Sequence, residues 1–442
     1  MTLPKKVKTA LNLLHAAGYK AYIVGGAVRD TLMSRTPSDY DVCTSAKPDE
    51  IKSVFSSYKT VDKGEKYGTV GVLFDKQPIE ITTFRSDDDY ADLRHPSSVR
   101  FTDELREDLR RRDFTVNAIA YNEQEGLIDP FLGKRDIRKK IIRAVGSAEE
   151  RFTEDALRIM RAVRFAATLG FSMEESTREA AMKLAPNLER VSAERIRDEL
   201  SKFIVADNAG DYLLKYREIF FAIIPELKAC DGFEQHNPNH CCDVLGHIAS
   251  TVNHIDPKLI LRVAALLHDV GKPECFSFDG ERGHFFGHME KSEEMARKIL
   301  ERLRYPTKFT DTACLIIVNH DKPHSPTAQD ARRWLHRVGA ENLYLIIRHK
   351  NADCLAHDKS YRNRLAKLRG FKREVDAALK RGDCYTLGKL AVNGNEVNRA
   401  LKISGGEMTG RILEYLLDEV IEGRVKNEKS ELLRLAEEYG RG

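Results

Sequence analysis

The chain has 442 residues, 42% hydrophobic and 32% charged, with 72 basic against 68 acidic side chains and a net charge of +4. That length exceeds what one hydrophobic core organises comfortably, so two to four packed units are expected. No apolar run reaches the roughly 18 residues of a membrane helix, which excludes a helical membrane span, and a charge balance this slight does not by itself identify a nucleic-acid binder.

The first residues, MTLPKKVKTALNLLHAAGYK, combine lysines with helical periodicity and offer no small-residue cleavage site. No secretory signal is read there, and the expected location is the cytoplasm. Eight cysteines, from Cys43 to Cys384, are scattered without a C-x-x-C pair, which argues against a disulfide framework and a thiolate zinc site. The basic runs LREDLRRR, IRKKIIR and RRWLHR read by default as solvated helix faces.

In chain order, the β-type runs AYIVGG, YDVCT, GTVGVLF, PIEITTFR and NAIAYN alternate with helical stretches, and after Glu149 nearly every segment has a period of 3.6. The fold class is therefore α+β, an α/β head followed by an all-helical remainder. Leu157, Met160, Val163 and Phe165 mark one amphipathic helix over 154–169, with Thr153 as its N-cap. A composition break at DGFEQHNPNH opens a histidine-rich helical unit, and Gly405, Gly406 and Gly410 punctuate a helical tail. The expected segments are a head over 1–150, a helical neck over 151–235, a histidine-rich helical domain over 236–360 and a tail over 361–442.

In IVGGAVRDTL, Gly25 and Gly26 stand between a strand-like run and a helix, where backbone N–H groups can approach a phosphate chain closely. About ten residues on, Asp39 and Asp41 flank Tyr40 at the start of YDVCT, and the strand period of two places both carboxylates on one face. Such hard oxygen ligands suit Mg²⁺, so the pair points to metal-assisted phosphoryl or nucleotidyl transfer. Glu80, in PIEITTFR, is a third candidate carboxylate, able to accept the proton of an attacking hydroxyl; read plainly, it is as well a surface carboxylate on an edge strand.

Gly25-Gly26-Ala27-Val28-Arg29-Asp30 with Asp39-x-Asp41 resembles the head of the polymerase-β-like class II tRNA nucleotidyltransferases and bacterial poly(A) polymerases. The resemblance implies a polymerase-β-like head with a small mixed sheet, in which Arg29 belongs to the nucleotide site and Arg112 and Asp113, in RRDFT followed by Asn117-Ala118, contact the incoming sugar and phosphates. Asp129-Pro130 through Gly133 and Asp136 resembles the family's hinge segment. In Glu154-Asp155-x-x-Arg158-x-x-Arg161-x-x-Arg164, members three apart are surface neighbours on a helix. A carboxylate only accepts and a guanidinium only donates, so Asp155 accepts from the exocyclic amino group of C or A while Arg158 donates to the ring. The family is understood to select CTP and ATP in this way, with Arg161 and Arg164 near the triphosphate. The polar, aperiodic segment SDDDYADLRHPSSVRF reads as a flexible loop and matches the one the family uses to switch from CTP to ATP.

Further on, His247, the doublet His268-Asp269, His288, His320 and Asp353 follow the order H…HD…H…H…D of the HD superfamily. The likeness implies one or two divalent transition metals or Mg²⁺, with His247, His268, Asp269 and Asp353 as a first site and His288 and His320 completing a second. The tail resembles that of the same nucleotidyltransferases, although their usual Gly-Pro stands here as Gly405-Gly406. The expected function is template-independent addition of C, C and A to the 3′ end of tRNA from CTP and ATP, with an additional HD-type phosphohydrolase activity. The rivals are a bacterial poly(A) polymerase and an HD phosphohydrolase or RNA-binding protein with a relic head. Oligomeric state is left open.

Overall fold

The fold was taken from a computed structural model, which describes residues 1–440 apart from 63, 65–66, 76, 88–98 and 237–241. Two compact units emerge, Met1–Pro225 and Glu226–Gly442.

The first unit opens with α1 (Lys5–Ala16), β1 (Ala21–Val24), α2 (Gly26–Leu32), β2 (Asp41–Thr44) and α3 (Pro48–Val54). It continues through β3 (Thr60–Asp62), β4 (Thr69–Phe74), β5 (Gln77–Thr83), β6 (Arg85–Asp87), β7 (Val99–Phe101), α4 (Leu105–Arg110), β8 (Ala120–Asn122) and β9 (Gly126–Ile128). Seven of these strands form a mixed sheet in the order β3-β4-β5-β2-β1-β8-β9, with β2 and β5 its parallel pair. This is a polymerase-β-like head. All four residues of β1 are buried, as an unalternating apolar run in a sheet covered on both faces should be. The five runs read as strands form β1, β2, β4, β5 and β8; β3 and β9, at the two edges, are three residues each and without a fully buried position, so they carry little periodic signal. Glu80 lies on β5, between β4 and β2, so its strand is interior rather than an edge. The ends of the expected switching loop pair as β6 and β7, while its residues 88–98 lie outside the described residues.

Beyond the sheet come α5 (Gly133–Lys139), β10 (Ile141–Ile142), α6 (Ala148–Glu154), α7 (Leu157–Leu169), β11 (Ser172–Met173), α8 (Glu175–Leu184), α9 (Ala193–Ile204), α10 (Ala209–Lys215) and α11 (Arg217–Ile223). The single neck helix expected over 154–169 is corrected here: α6 ends at Glu154, capped at its start by Ser147 rather than Thr153, and Asp155 is extended at φ −146° and ψ 101°. Leu157, Met160, Val163 and Phe165 are buried on α7 as the periodicity required. The break has a local cause, because Asp155 Oδ1 accepts the Leu157 N–H at 3.1 Å and so replaces a helical acceptor.

The second unit is helical: α12 (Val244–His254), α13 (Leu259–Leu267), a hairpin of β12 (Ser277–Phe278) and β13 (Gly283–His284), α14 (His288–Arg302), α15 (Thr307–Ile317), α16 (Ala328–Ala356) and α17 (Arg364–Arg381). α16 is broken at Gly339, which sits at φ 74°. The tail helices α18 (Gly394–Leu401), α19 (Glu407–Glu422) and α20 (Lys429–Gly440) enclose their own core of Val397, Ile412, Leu416, Leu432 and Ala436. Gly406, where the resembling family has proline, takes φ 102°. Proline is confined near −65°, so Gly406 holds a conformation closed to proline. Among the described residues no helix is long and apolar enough to cross a membrane.

Candidate nucleotidyl-transfer and metal sites

Sheet register assembles the head site. Asp41 is the first residue of β2, opposite Val24 of β1 on one side and Glu80 of β5 on the other. Asp39 precedes the strand rather than lying on it, which corrects the period-two argument, yet Asp39, Asp41 and Glu80 all line one cleft of about 510 Å³. Ser38 Oγ donates to Asp39 Oδ1 at 2.9 Å. Burial and the neighbouring Asp39 charge raise the Asp41 carboxyl above its ordinary range, against the pull of Arg112 and with a further push from Glu80. Acceptor-only groups crowded at an open cleft are the electrostatic complement of a divalent cation. Among the described residues, however, every group of three or more metal-type donors drawn within 4.8 Å of one another lies in the second unit, so the head carboxylates are arranged around the cleft without converging on a point.

Behind the carboxylates, the turn from β1 to α2 places Gly25 at φ 74°, with Arg112 Nη1 3.4 Å from where a Cβ would stand. Arg112 is held by fully buried Asp108, which also takes both donors of Arg111 at 2.8 and 3.0 Å. Arg29 is turned inward: it donates to Asn117 Oδ1 at 2.7 Å and Asp30 Oδ1 at 2.8 Å, and lies over the Phe165 ring of α7. Asp113 accepts from the Asn117 amide at 3.1 Å and from Arg161 at 2.6 and 2.8 Å. Burial alone would raise its pKa, but the Arg161 guanidinium and the Asn117 amide bring it down to about 2. In the hinge-like segment, Asp129 accepts from Gly133 N and Lys134 N at 2.7 and 2.8 Å, capping α5, and fully buried Asp136 accepts from Thr115 Oγ1 at 2.8 Å.

The neck row divides. Arg158 donates to the carbonyls of Arg151 and Arg111, each at 3.1 Å, and to the Glu154 carboxylate. Asp155 faces α9, where Arg195 grips it with both guanidinium arms at 2.7 and 3.2 Å. Arg161 and Arg164 share Glu199, one turn further along α9.

In the second unit, His268 and Asp269 follow directly on the apolar helix α13, His247 projects from α12, His288 opens α14, His320 follows α15 and Asp353 stands on α16. His247 Nε2 lies 2.8 Å from Asp353 Oδ1 and 3.5 Å from Asp269 Oδ2; His268 Nε2 lies 3.2 Å from Asp269 Oδ2; His288 and His320 Nε2 lie 3.7 and 3.6 Å from Asp269 Oδ1. The Nδ1 atoms of His268, His288 and His320 each meet a backbone carbonyl at 2.7–2.8 Å. A carbonyl only accepts, so Nδ1 carries the proton and Nε2 turns its lone pair inward. Oδ1 of Asp269 and Nε2 of His268 are buried without hydrogen-bond partners, while Asp269 Oδ2 pairs with the Lys272 ammonium at 2.7 Å; the two partnerless atoms are an arrangement a cation fits. Two donor groups result, His247-His268-Asp269 and Asp269-His288-His320, with a third formed by His247, Asp353 and His357. Burial depresses His247 to about 4, whereas Asp269, despite its burial, is held well below the ordinary range by His268 and Lys272. The cluster opens on a cavity of about 370 Å³ that Lys272 and exposed Phe286 also line.

The poly A polymerase head domain matches residues 21–143, the probable RNA and SrmB- binding site of polymerase A matches 170–230, and the HD domain matches 239–357. A CCA-adding enzyme of Leuconostoc mesenteroides is 32% identical over 97% of this chain and 95% of its own length. The chain belongs to the CCA-adding enzyme family. Another CCA-adding enzyme, from Geobacillus kaustophilus, is 35% identical over 94% of this chain and 92% of its own. The crystal structure of Bacillus stearothermophilus CCA-adding enzyme in complex with CTP matches with a TM-score of 0.74 and 31% identity, covering 100% of this chain and 98% of that one. As a member of the CCA-adding enzyme family the chain is a nucleotidyltransferase, and it carries an HD domain.

Sequence reasoning missed Arg195 and Glu199, whose signal was an i,i+4 pair of opposite charge in AERIRDELSKF. It missed His357 and fully buried His349 as well, although both stand four residues from Asp353, His349 on α16 and His357 at its C-terminal cap.

Proposed function

We propose that this chain adds C, C and A to the 3′ end of tRNA from CTP and ATP, and that residues 1–150 supply the chemistry, 151–235 the base selection, 236–360 the HD site and 361–442 contacts to tRNA. The observation that carries this reading is the register pairing Asp41 with Glu80 beside Asp39 in one cleft, in a chain of the CCA-adding family. Asp39 and Asp41 would hold Mg²⁺, which when bound supplies Lewis acidity at the α-phosphate and lowers the pKa of the primer hydroxyl. Glu80, across the same cleft, is placed to accept that hydroxyl's proton. Gly25 and Gly26 let the backbone approach the triphosphate, and Arg112, Arg161 and Arg164 bring positive charge to it. Arg29 and Asp113 act from within, tying the turn at Asn117 to α7. Asp155 and Arg158 present an acceptor and a donor that match the edges of C and A and mismatch U and G.

Complexes of similar proteins support this reading: the Bacillus stearothermophilus structure holds CTP, and a Thermotoga maritima CCA-adding enzyme of 19% identity and TM-score 0.61 was solved with tRNA. A second activity is supported by the buried donor cluster around Asp269. We assign it to phosphate-ester hydrolysis with a divalent transition metal or Mg²⁺ held by His247, His268, Asp269 and Asp353, and by His288 and His320.

Two variants test this division of labour. Asp41→Ala should abolish CTP incorporation while leaving metal-dependent phosphatase activity intact, and Asp269→Ala should do the reverse. Loss of both activities in either variant contradicts two independent sites; CTP incorporation by Asp41→Ala contradicts the head assignment.

A further inference from the structure

The base-reading carboxylate is not free to choose its own orientation. Asp155 Oδ1 accepts from Arg195 Nη1 at 3.2 Å and from Leu157 N at 3.1 Å, while Oδ2 accepts from Arg195 Nη2 at 2.7 Å. A carboxylate offers roughly four lone-pair sites. Three are taken, so a single acceptor position remains, on Oδ2. The pair is largely shielded, with Asp155 16% and Arg195 24% exposed, and it lies at the break between α6 and α7, where the Asp155 N–H reaches the Arg151 carbonyl at 3.4 Å and closes the last turn of α6.

We propose that Arg195 is a specificity-determining positioning residue, which makes Asp155 a one-site acceptor and thereby sets the discrimination of CTP and ATP against UTP and GTP. The inference rests on the reading of Asp155 as the residue that meets the base. The remaining lone pair matches one exocyclic N–H of cytosine or adenine. Uracil O4 and guanine O6 present a second acceptor at that position, and a carboxyl could tolerate them only by carrying a proton or rotating away. The guanidinium fork opposes both: its donors need bare oxygens, and its two bonds lock the carboxylate plane. Glu199, one turn along α9, grips Arg161 and Arg164 from the same helix, so α9 serves as a back-plate for the neck row.

The test measures kcat/KM for CTP and UTP in the first addition to a tRNA lacking its final three nucleotides, for the full-length chain and for R195A, R195K and D155N. R195A should lower the CTP:UTP ratio about tenfold or more, chiefly through KM for CTP. R195K, with one donor direction in place of a fork, should fall between R195A and wild type, and it decides the question alone if R195A does not fold. R195A combined with D155N should discriminate no worse than D155N. An unchanged ratio in the Arg195 variants, even with both rates reduced, overturns the inference. Wild-type discrimination by D155N overturns instead the reading of Asp155 on which it stands.

Discussion

Single residues show where electrostatics is invested. Asp113 is buried between the Asn117 amide and the Arg161 guanidinium, and its carboxyl sits at about 2, below the ordinary carboxylate value. A depressed folded-state pKa contributes stability that is fully present above the unfolded value and is lost as pH falls through the folded one. The shift corresponds to about 2 kcal/mol. Urea unfolding of wild type and Asp113→Asn should therefore differ by about that amount near neutral pH, with the gap closing between pH 4 and pH 2. A gap independent of pH over that range would show that the carboxylate's charge is not what holds α7 to the head. At this scale the sequence was legible where residue type dictates chemistry. Asp39, Asp41 and Glu80 line one cleft, and all six expected HD residues lie in one buried cluster. It was illegible where the partner is remote in the chain, since nothing local to Asp155 announces Arg195 forty residues on.

Elements put those residues in place, and one glycine illustrates the tolerance. A Cβ on Gly133, the first residue of α5, would stand 2.1 Å from the Thr115 carbonyl oxygen and 2.8 Å from Ile119 Cγ1. Backbone cannot yield as a side chain does, so Gly133→Ala should destabilise the first unit by about 3 kcal/mol, read as a fall in its thermal unfolding midpoint. A midpoint unchanged within a degree would mean that α5 can shift away without cost. The five strands legible in the sequence are those with apolar runs, because burial imposes a pattern; edge strands β3 and β9 have three residues each and no fully buried one, too little to leave a pattern. The neck helix was read through Asp155 because its apolar period continues on α7. Periodicity records which face is buried, whereas the break arises from one side-chain hydrogen bond to Leu157 N.

The whole molecule consists of two compact units whose chemistries are separable in residues: carboxylates on and beside interior strands of a sheet in one, imidazoles and carboxylates among helices in the other. The composition break at DGFEQHNPNH lies close to the boundary between these units, whereas the α/β-to-helical transition near Glu149 falls inside the first, because a change of secondary-structure type does not by itself separate cores. The central claim is nucleotide addition that stops by itself at CCA. It is tested most directly by incubating the full-length chain with Mg²⁺ and a tRNA transcript ending at the discriminator base, with CTP alone, ATP alone or both, and sizing the products. The expected result is three added nucleotides, ending in CCA, only when both are present. Long adenylate tails with ATP alone would make the chain a poly(A) polymerase, and no extension under any condition would contradict the account.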